Sequence, residues 1–323
     1  MAAEGDNHAD TPAPIALFAY RRPEHLQRTL DALRLNLEAQ ATELFIFCDG
    51  ARDEAAGDGV ERVRQIARNI EGFKSLHVIE RAGNYGLARS LTQGISEVLA
   101  HSDQVIVVED DIVVSPFFLQ FMNESLNYYR SNMRVGSISG YSYPVGRPMP
   151  ETFFIRGADC WGWATWNDRW RYYNADGVEL LAELNRRGLA HAFNFDDAMD
   201  FMQMLANQNA KKINSWAIRW HASCFLRDML ILYPGRSLAQ NIGQDSTGTH
   251  AISSDSSYDV AFSPEPITVG GVSVEESDIG REAICEFYRS RTQAITANPA
   301  AKANRLKNGL HGLFCRLRRW MSF

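Results

Sequence analysis

Val105-Ile106-Val107-Val108-Glu109-Asp110-Asp111 sets four aliphatic residues directly before three carboxylates. A continuous β-branched run marks a parallel strand buried on both faces, because a strand with one wet face alternates instead. Three acids at the end of such a strand repel one another and call for a counter-charge. A hard divalent cation with oxygen ligands, Mn²⁺ or Mg²⁺, answers that need and keeps open positions that substrate phosphates fill. Ligands of open α/β sheets bind outside the carboxyl ends of the strands. The stretch therefore predicts a metal–diphosphate site on a parallel sheet. The plainer account is an exposed acidic turn after a core strand.

Upstream, the pattern alternates. Ile15 to Tyr20 reads as a first strand, and Leu26, Leu30, Leu33 and Leu37 then recur at helical spacing. Leu44 to Phe47 is a second strand, followed by a polar loop and a helix around Val60 to Ile70. Leu76 to Ile79 is a short third strand, Leu87 to Leu99 a helix, and the Val105 run the fourth strand. This β-α-β-α-β-α-β order implies a parallel sheet covered by helices on both faces.

Downstream, Phe117 to Tyr129 is helical and Val135 to Ser139 looks like a strand. The segment Asp159 to Trp170 then places four of the chain's seven tryptophans within ten residues. Such a cluster suits a core and a sugar-stacking cleft wall equally. Helices are expected around Leu180 to Leu189, Asp196 to Asn207 and Trp216 to Leu226, the last capped by Asn214 or Ser215. Leu230 to Pro234 is a closing strand, and Gln240 to His250 a glycine-punctuated loop of the kind that forms lids.

The bulk numbers bound the rest. The chain has 323 residues, 45% hydrophobic and 22% charged, which is enough for one large α/β domain with an appendage. A net charge of −6 gives no general case for nucleic-acid binding. The five cysteines have no zinc-type spacing and read as reduced thiols in a cytosolic setting. Residues 1–13 read as a disordered acidic leader rather than a signal peptide. From Lys302 onward there are six basic residues and no acid. Leu306, Leu310, Leu313, Phe314, Leu317 and Met321 share one helical face there. The expected domains are therefore the leader, a catalytic domain over 14–290 and a basic amphipathic tail over 291–323. Such a tail predicts peripheral attachment at the inner face of the cytoplasmic membrane. A helix packed back on the domain is the alternative.

Three strand ends carry polar groups on what should be one sheet edge: Arg21-Arg22 after the first, Asp49 after the second, Glu109-Asp110-Asp111 after the fourth. A cationic pair for phosphates, a carboxylate for a base or ribose and an acid cluster for a metal together describe a nucleotide site. No Walker-type loop or G-x-G-x-x-G follows the first strand, and no nucleophile elbow is present.

At these residues the chain resembles inverting bacterial glycosyltransferases of the GT-A fold (family 2-like). It is also similar to the animal Golgi N-acetylglucosaminyltransferase I. The matching pieces are Phe18 to Leu26, Phe47-Cys48-Asp49-Gly50, Asn84-Tyr85-Gly86-Leu87-Ala88, Val107 to Pro116 and Gly162-Trp163, with Pro234 to Gly243 and His250 farther on. The resemblance covers roughly residues 14 to 250. It implies a Rossmann-like, mostly parallel sheet and a nucleotide-sugar donor, here expected to be UDP-linked. It implies that Asp111 ligates the metal with His250 near the diphosphate, that Asp110 and Glu109 hold the ribose or donor sugar, and that Asp49 reads the base. Arg22 would meet the uridine–phosphate end. Tyr20 and Asn84 belong to the same donor set, and Trp163 would line the donor and acceptor cleft, with Trp216 on the acceptor side.

An inverting transferase also needs a carboxylate to deprotonate the acceptor hydroxyl. The relative's acid position falls here in Ser215 to Trp220, which has no acid. Asp196 and Asp197, following Phe195, are the first substitutes, ahead of Asp168 and Asp245. Their plainer account is helix-start acids that favour the dipole. Arg219 is the candidate for a phosphate on a lipid-linked acceptor. The expected function is metal-dependent sugar transfer to a glycan or lipid-linked acceptor in cell-surface polysaccharide synthesis. The rivals are a degenerate transferase that only binds glycan or nucleotide sugar, and a nucleotidyltransferase. The latter normally has a glycine-rich basic loop where Tyr20-Arg21-Arg22-Pro23 stands.

Overall fold

The computed structural model describes residues 11–243 and 256–297. The N-terminal half follows the expected alternation. In chain order it runs β1 (Ile15–Ala19), α1 (Pro23–Arg34), β2 (Glu43–Cys48), α2 (Gly57–Asn69), β3 (Ser75–Glu80), α3 (Leu87–Leu99) and β4 (Gln104–Glu109). α1 starts with proline at its first turn, where the missing N–H would have no partner anyway. It stops at Arg34, short of Leu37, because the Asn36 side chain donates to the carbonyls of Ala32 and Leu33. Leu37 is left exposed.

The C-terminal half adds β5 (Ile112–Val114), α4 (Phe118–Tyr129), β6 (Val135–Ser139), β7 (Thr152–Ile155) and β8 (Trp163–Trp166). It continues with α5 (Asn167–Trp170), α6 (Gly177–Arg186), α7 (Ala190–Phe193), α8 (Phe201–Asn209) and α9 (Ala217–Leu226). β9 (Leu230–Pro234), β10 (Ala239–Asn241) and α10 (Asp278–Ala297) complete it. The main sheet has the order β3-β2-β1-β4-β8-β6-β9-β7. β3, β2, β1 and β4 are mutually parallel, β8 runs against both β4 and β6, and β9 parallels β6 while β7 opposes it. The sheet is thus mostly parallel with helices packed on it, as expected.

Two pairings were not legible in advance. β5 begins at the residue after Asp111 and pairs antiparallel with β10, matching Ile112 to Asn241. β7 forms the far edge, where Ser277 N donates to the Phe154 carbonyl and the start of α10 covers it. α10 runs through position 290, so the domain boundary expected there falls inside a helix. The tail from 298 and His250 lie outside the described residues, as does most of the expected lid loop.

The tryptophan segment contains the strand β8, in register with β4 (Val107 opposite Trp163), and the short helix α5 that ends at Trp170. Trp163 stacks on Trp216 at 5.6 Å, while Trp170 packs against Trp163 and Trp220. These rings form part of the main core. α6, α7, α8 and α9 add a smaller cluster around Leu184, Phe193, Leu205, Ile218 and Phe225.

Candidate active site

The C-terminal ends of β1, β2 and β4 meet at a cavity of about 290 Å³. Tyr20, Arg21, Asp49, Asn84, Glu109 and Asp110 line it, along with Arg52, Asp53, Ser90 and Asn214. The parallel register causes this convergence. Phe18 lies opposite both Phe47 and Glu109, so the residues following each strand arrive at one edge together.

Arg22 is the electrostatic centre. One guanidinium nitrogen, Nη2, donates to Asp110 Oδ1 at 2.8 Å and to Asp111 Oδ2 at 2.7 Å, and all three side chains are buried. Burial works against the arginine's charge, but the two carboxylates outweigh it and lift its pKa above the ordinary arginine range. The counter-charge that the acid cluster demands is therefore supplied by the chain itself. Asp110 is fixed further: its Oδ2 accepts from Tyr20 N at 3.2 Å, and its carbonyl accepts from Thr29 Oγ1 at 2.8 Å. Glu109 is held well above the usual carboxylate range, first by burial and then by Asp111 and Asp110.

Asp111 retains one unsatisfied acceptor oxygen among the described residues: its Oδ1 is buried without a hydrogen-bond partner. The β5–β10 pairing closes over this residue, with Ile242 N donating to the Asp111 carbonyl at 2.8 Å. Gly243 follows, and a Cβ placed there would stand 2.1 Å from Asp111 Oδ2. Only a residue without a side chain fits this approach without displacement. No group of three or more His, Cys, Asp or Glu side chains among the described residues is placed to hold a metal. A divalent ion bound through one or two carboxylates plus substrate phosphates needs no such cage. The orphaned oxygen of Asp111 fits that pattern.

Asp49 takes a different part from the base reader expected of it. Its Oδ1 accepts from Gly50 N (2.9 Å) and Tyr85 N (2.8 Å). Its Oδ2 accepts from Gly86 N (2.9 Å) and Asn84 Nδ2 (3.2 Å). These bonds fill the four acceptor directions of a carboxylate. In this structure Asp49 ties the 84–86 loop to the sheet edge. Asn84 supports the same tie through Gly50 O at 2.9 Å. Arg52 and Asp53 are cavity residues that the sequence reading passed over. Their place in a polar loop just beyond a strand end was the available signal.

Trp163 and Trp216 were expected to line a cleft, but they are 0% and 2% exposed and stack on each other. A sugar has no face to meet there, and both belong to the core beneath the site. Arg219 is half-buried on α9 and bonds the carbonyls of Ser215 and Ala175.

Asp196 and Asp197 do not open a helix. Phe195, Asp196 and Asp197 all adopt left-handed backbone angles (φ 51, 54 and 59°), and α8 starts only at Phe201 with Asp200 as its cap. Asp196 is drawn away by Arg281 of α10, which bonds both its oxygens at 2.9 and 3.1 Å and lowers its pKa. Asp197 Oδ2 lies 2.8 Å from His191 Nδ1. Neither acid lines the cavity that Asp110 lines. Asp168 is paired with Arg169, and Asp245 lies outside the described residues.

Residues 15–195 match the profile of glycosyl transferase family 2. No curated protein matches, so the likeness to the Golgi N-acetylglucosaminyltransferase rests on the sequence motifs alone. Among solved structures, the chain is similar to TarS of S. aureus at 12% identity and a TM-score of 0.42, over 70% of this chain and 36% of that one. The chain thus spans about a third of that protein's length. It is also similar to the mannosyltransferase PcManGT of Pyrobaculum calidifontis, solved with GDP-Man and Mn²⁺. There the identity is 12% and the TM-score 0.37, over 68% of this chain and 71% of the other.

Proposed function

The chain belongs to glycosyl transferase family 2, and on that premise we propose that it transfers a sugar from a nucleotide-sugar donor to a glycan or lipid-linked acceptor. The observation that carries the reading is the cavity at the ends of β1, β2 and β4, lined by Arg21, Glu109 and Asp110, the last of them bonded to Arg22.

The donor's nucleoside would enter between Arg52, Asp53 and Asn84, with its diphosphate toward Arg22 and Asp111. Mn²⁺ or Mg²⁺ would be held by Asp111 and the donor phosphates, supplying charge neutralisation for the departing nucleoside diphosphate. Arg22 supports the same end of the reaction. Were a cation to engage the carboxylates, the Arg22 guanidinium would turn to the phosphate oxygens, and preorganised charge of this kind is the largest catalytic contribution in many enzymes. Asp110, held by Tyr20 N and Arg22, and Glu109 are set to orient the ribose and donor sugar.

We assign an inverting displacement. Of the two acids expected as base, only Asp197 is free of the Arg281 clamp. Membrane contact is assigned to the basic tail. Among the described residues no helix is long and apolar enough to cross a membrane. Sedimentation with anionic lipid vesicles, lost on removing residues 299–323, tests that assignment.

The deciding experiment measures nucleoside diphosphate release from a panel of nucleotide sugars with Mn²⁺ or Mg²⁺, for wild type and Asp111→Asn. Metal-dependent release from one donor, reduced about 10²- to 10⁴-fold in the variant, supports the reading. Donor binding without turnover under any acceptor would instead identify a degenerate binding protein. Pyrophosphate release from a nucleoside triphosphate and a sugar phosphate would identify a nucleotidyltransferase.

A further inference from the structure

Asp49 lines the donor cavity, yet its carboxylate has no acceptor direction left for a nucleobase. Its bonds hold the 84–86 loop instead, and the backbone packs closely there. A Cβ on Gly50 would stand 2.5 Å from the Gly83 carbonyl carbon, and Arg81 N donates to the Cys48 carbonyl at 2.9 Å. Asn84 is thus fixed at the cavity wall, and its amide has a defined direction. Nδ2 donates to Asp49 Oδ2 at 3.2 Å and to the Gly50 carbonyl at 2.9 Å. Both partners are acceptors only, so reversing the amide would forfeit both bonds. Oδ1 is therefore the free end, and no donor reaches it among the described residues.

Arg52 supplies the opposite sense. It lines the same cavity, and its backbone is held there by Arg52 N donating to Tyr20 Oη at 3.0 Å. Its guanidinium has no carboxylate or carbonyl partner among the described residues. An oriented acceptor and an uncommitted donor therefore border the nucleoside end of the cavity. A base edge matches this pair when a ring N–H stands beside a carbonyl. Uracil has that unit at N3–H with its carbonyls, and guanine at N1–H with the C6 carbonyl. Cytosine and adenine carry a lone pair on the corresponding ring nitrogen, which would face the lone pairs of Asn84 Oδ1. A site built to accept a hydrogen bond rejects a ligand that leaves its polar group unpaired.

Resting on the nucleotide-sugar reading above, we propose that Asn84 and Arg52 select a donor whose base has a ring N–H beside a carbonyl. Asn84 Oδ1 accepts that N–H, and the Arg52 guanidinium donates to the carbonyl. Asp49 is a positioning residue, which sets the direction of the Asn84 amide without touching the base. Donors built on cytosine or adenine are excluded by the same geometry.

The test is isothermal titration calorimetry on the full chain with Mg²⁺ and, in turn, UDP, GDP, CDP and ADP. UDP or GDP should bind about tenfold or more tightly than CDP and ADP, and whichever leads names the base. Asn84→Ala should bring the leading nucleotide to within about threefold of CDP. Arg52→Ala should lower affinity for the leading nucleotide about tenfold, with Arg52→Lys recovering part of the loss. Asp49→Asn should weaken all four nucleotides by a similar factor and keep their ranking, which separates positioning from base contact. Circular dichroism checks that each variant is folded. A ranking lost in Asp49→Asn but kept in Asn84→Ala overturns the proposal. CDP or ADP binding to the wild type as tightly as UDP and GDP also overturns it, and leaves the transferase reading standing. Binding of none of the four removes that reading, and this proposal with it.

Discussion

Arg22 Nη2 stands 2.7 Å from Asp111 Oδ2 and holds Asp110 Oδ1 at 2.8 Å with the same nitrogen. One cation therefore bridges two adjacent buried acids that would otherwise repel each other, and offsets part of their charge. Removing it leaves uncompensated buried charge, which costs about 3–5 kcal/mol. Arg22→Met should be destabilised by that order in urea unfolding, and added Mn²⁺ should restore part of the loss, with EDTA reversing the gain. If Mn²⁺ stabilises neither protein, the carboxylates do not bind the ion.

Gly243 tests the same corner by shape. Its backbone approaches Asp111 so closely that a methyl group would meet the carboxylate. Gly243→Ala should keep the wild-type melting temperature within a few degrees while lowering metal-dependent turnover about 10²-fold, the scale of an ångström-level misplacement. Unaltered turnover would show that the β5–β10 closure has no part in catalysis.

The two acids after Phe195 should separate by readout. Asp196 is clamped by Arg281, so Asp196→Asn should lower the melting temperature and affect transfer mainly through that loss. Among the described residues Asp197 pairs only with His191, and Asp197→Asn should lower kcat about 10²- to 10⁴-fold, the range for general-base removal, with little change in stability. Normal kcat in the second variant would exclude Asp197 as base.

Asp159 predicts a pH dependence. Burial lifts its carboxyl to about 6, against bonds from Trp161 N and Tyr143 that favour the ionised form. Its folded pKa lies above the unfolded value, so its stabilising contribution is complete below about pH 4 and is lost as pH rises through 6. The difference is about 3 kcal/mol. Asp159→Asn cannot ionise, so the variant should lose less stability than wild type between pH 4 and pH 7.5. Parallel slopes for the two proteins would contradict this.

The sequence was most legible where structure is local. The apolar runs marked β1 to β4, and the helical spacing of Leu26, Leu30 and Leu33 marked α1. Strand ends in a parallel sheet share one edge, so the runs also announced that Arg22, Asp49 and the Glu109 cluster would gather. Legibility failed where a distant partner decides. Asp196 and Asp197 look like helix-start acids until Arg281, 85 residues away, holds the first of them in a left-handed turn. Asp49 looked like an open acceptor until the 84–86 loop filled it.

By itself, then, the sequence determined the parallel half of the sheet, the site's address and its acidic character, because hydrophobic periodicity and strand direction are properties of neighbouring residues. Tertiary structure alone decided that Arg22 answers the acids across 88 residues, that the tryptophans form core rather than cleft, and that Gly243 closes on Asp111. Each of these depends on which distant side chain arrives to satisfy a buried charge, ring or carbonyl, and composition and spacing leave that choice open.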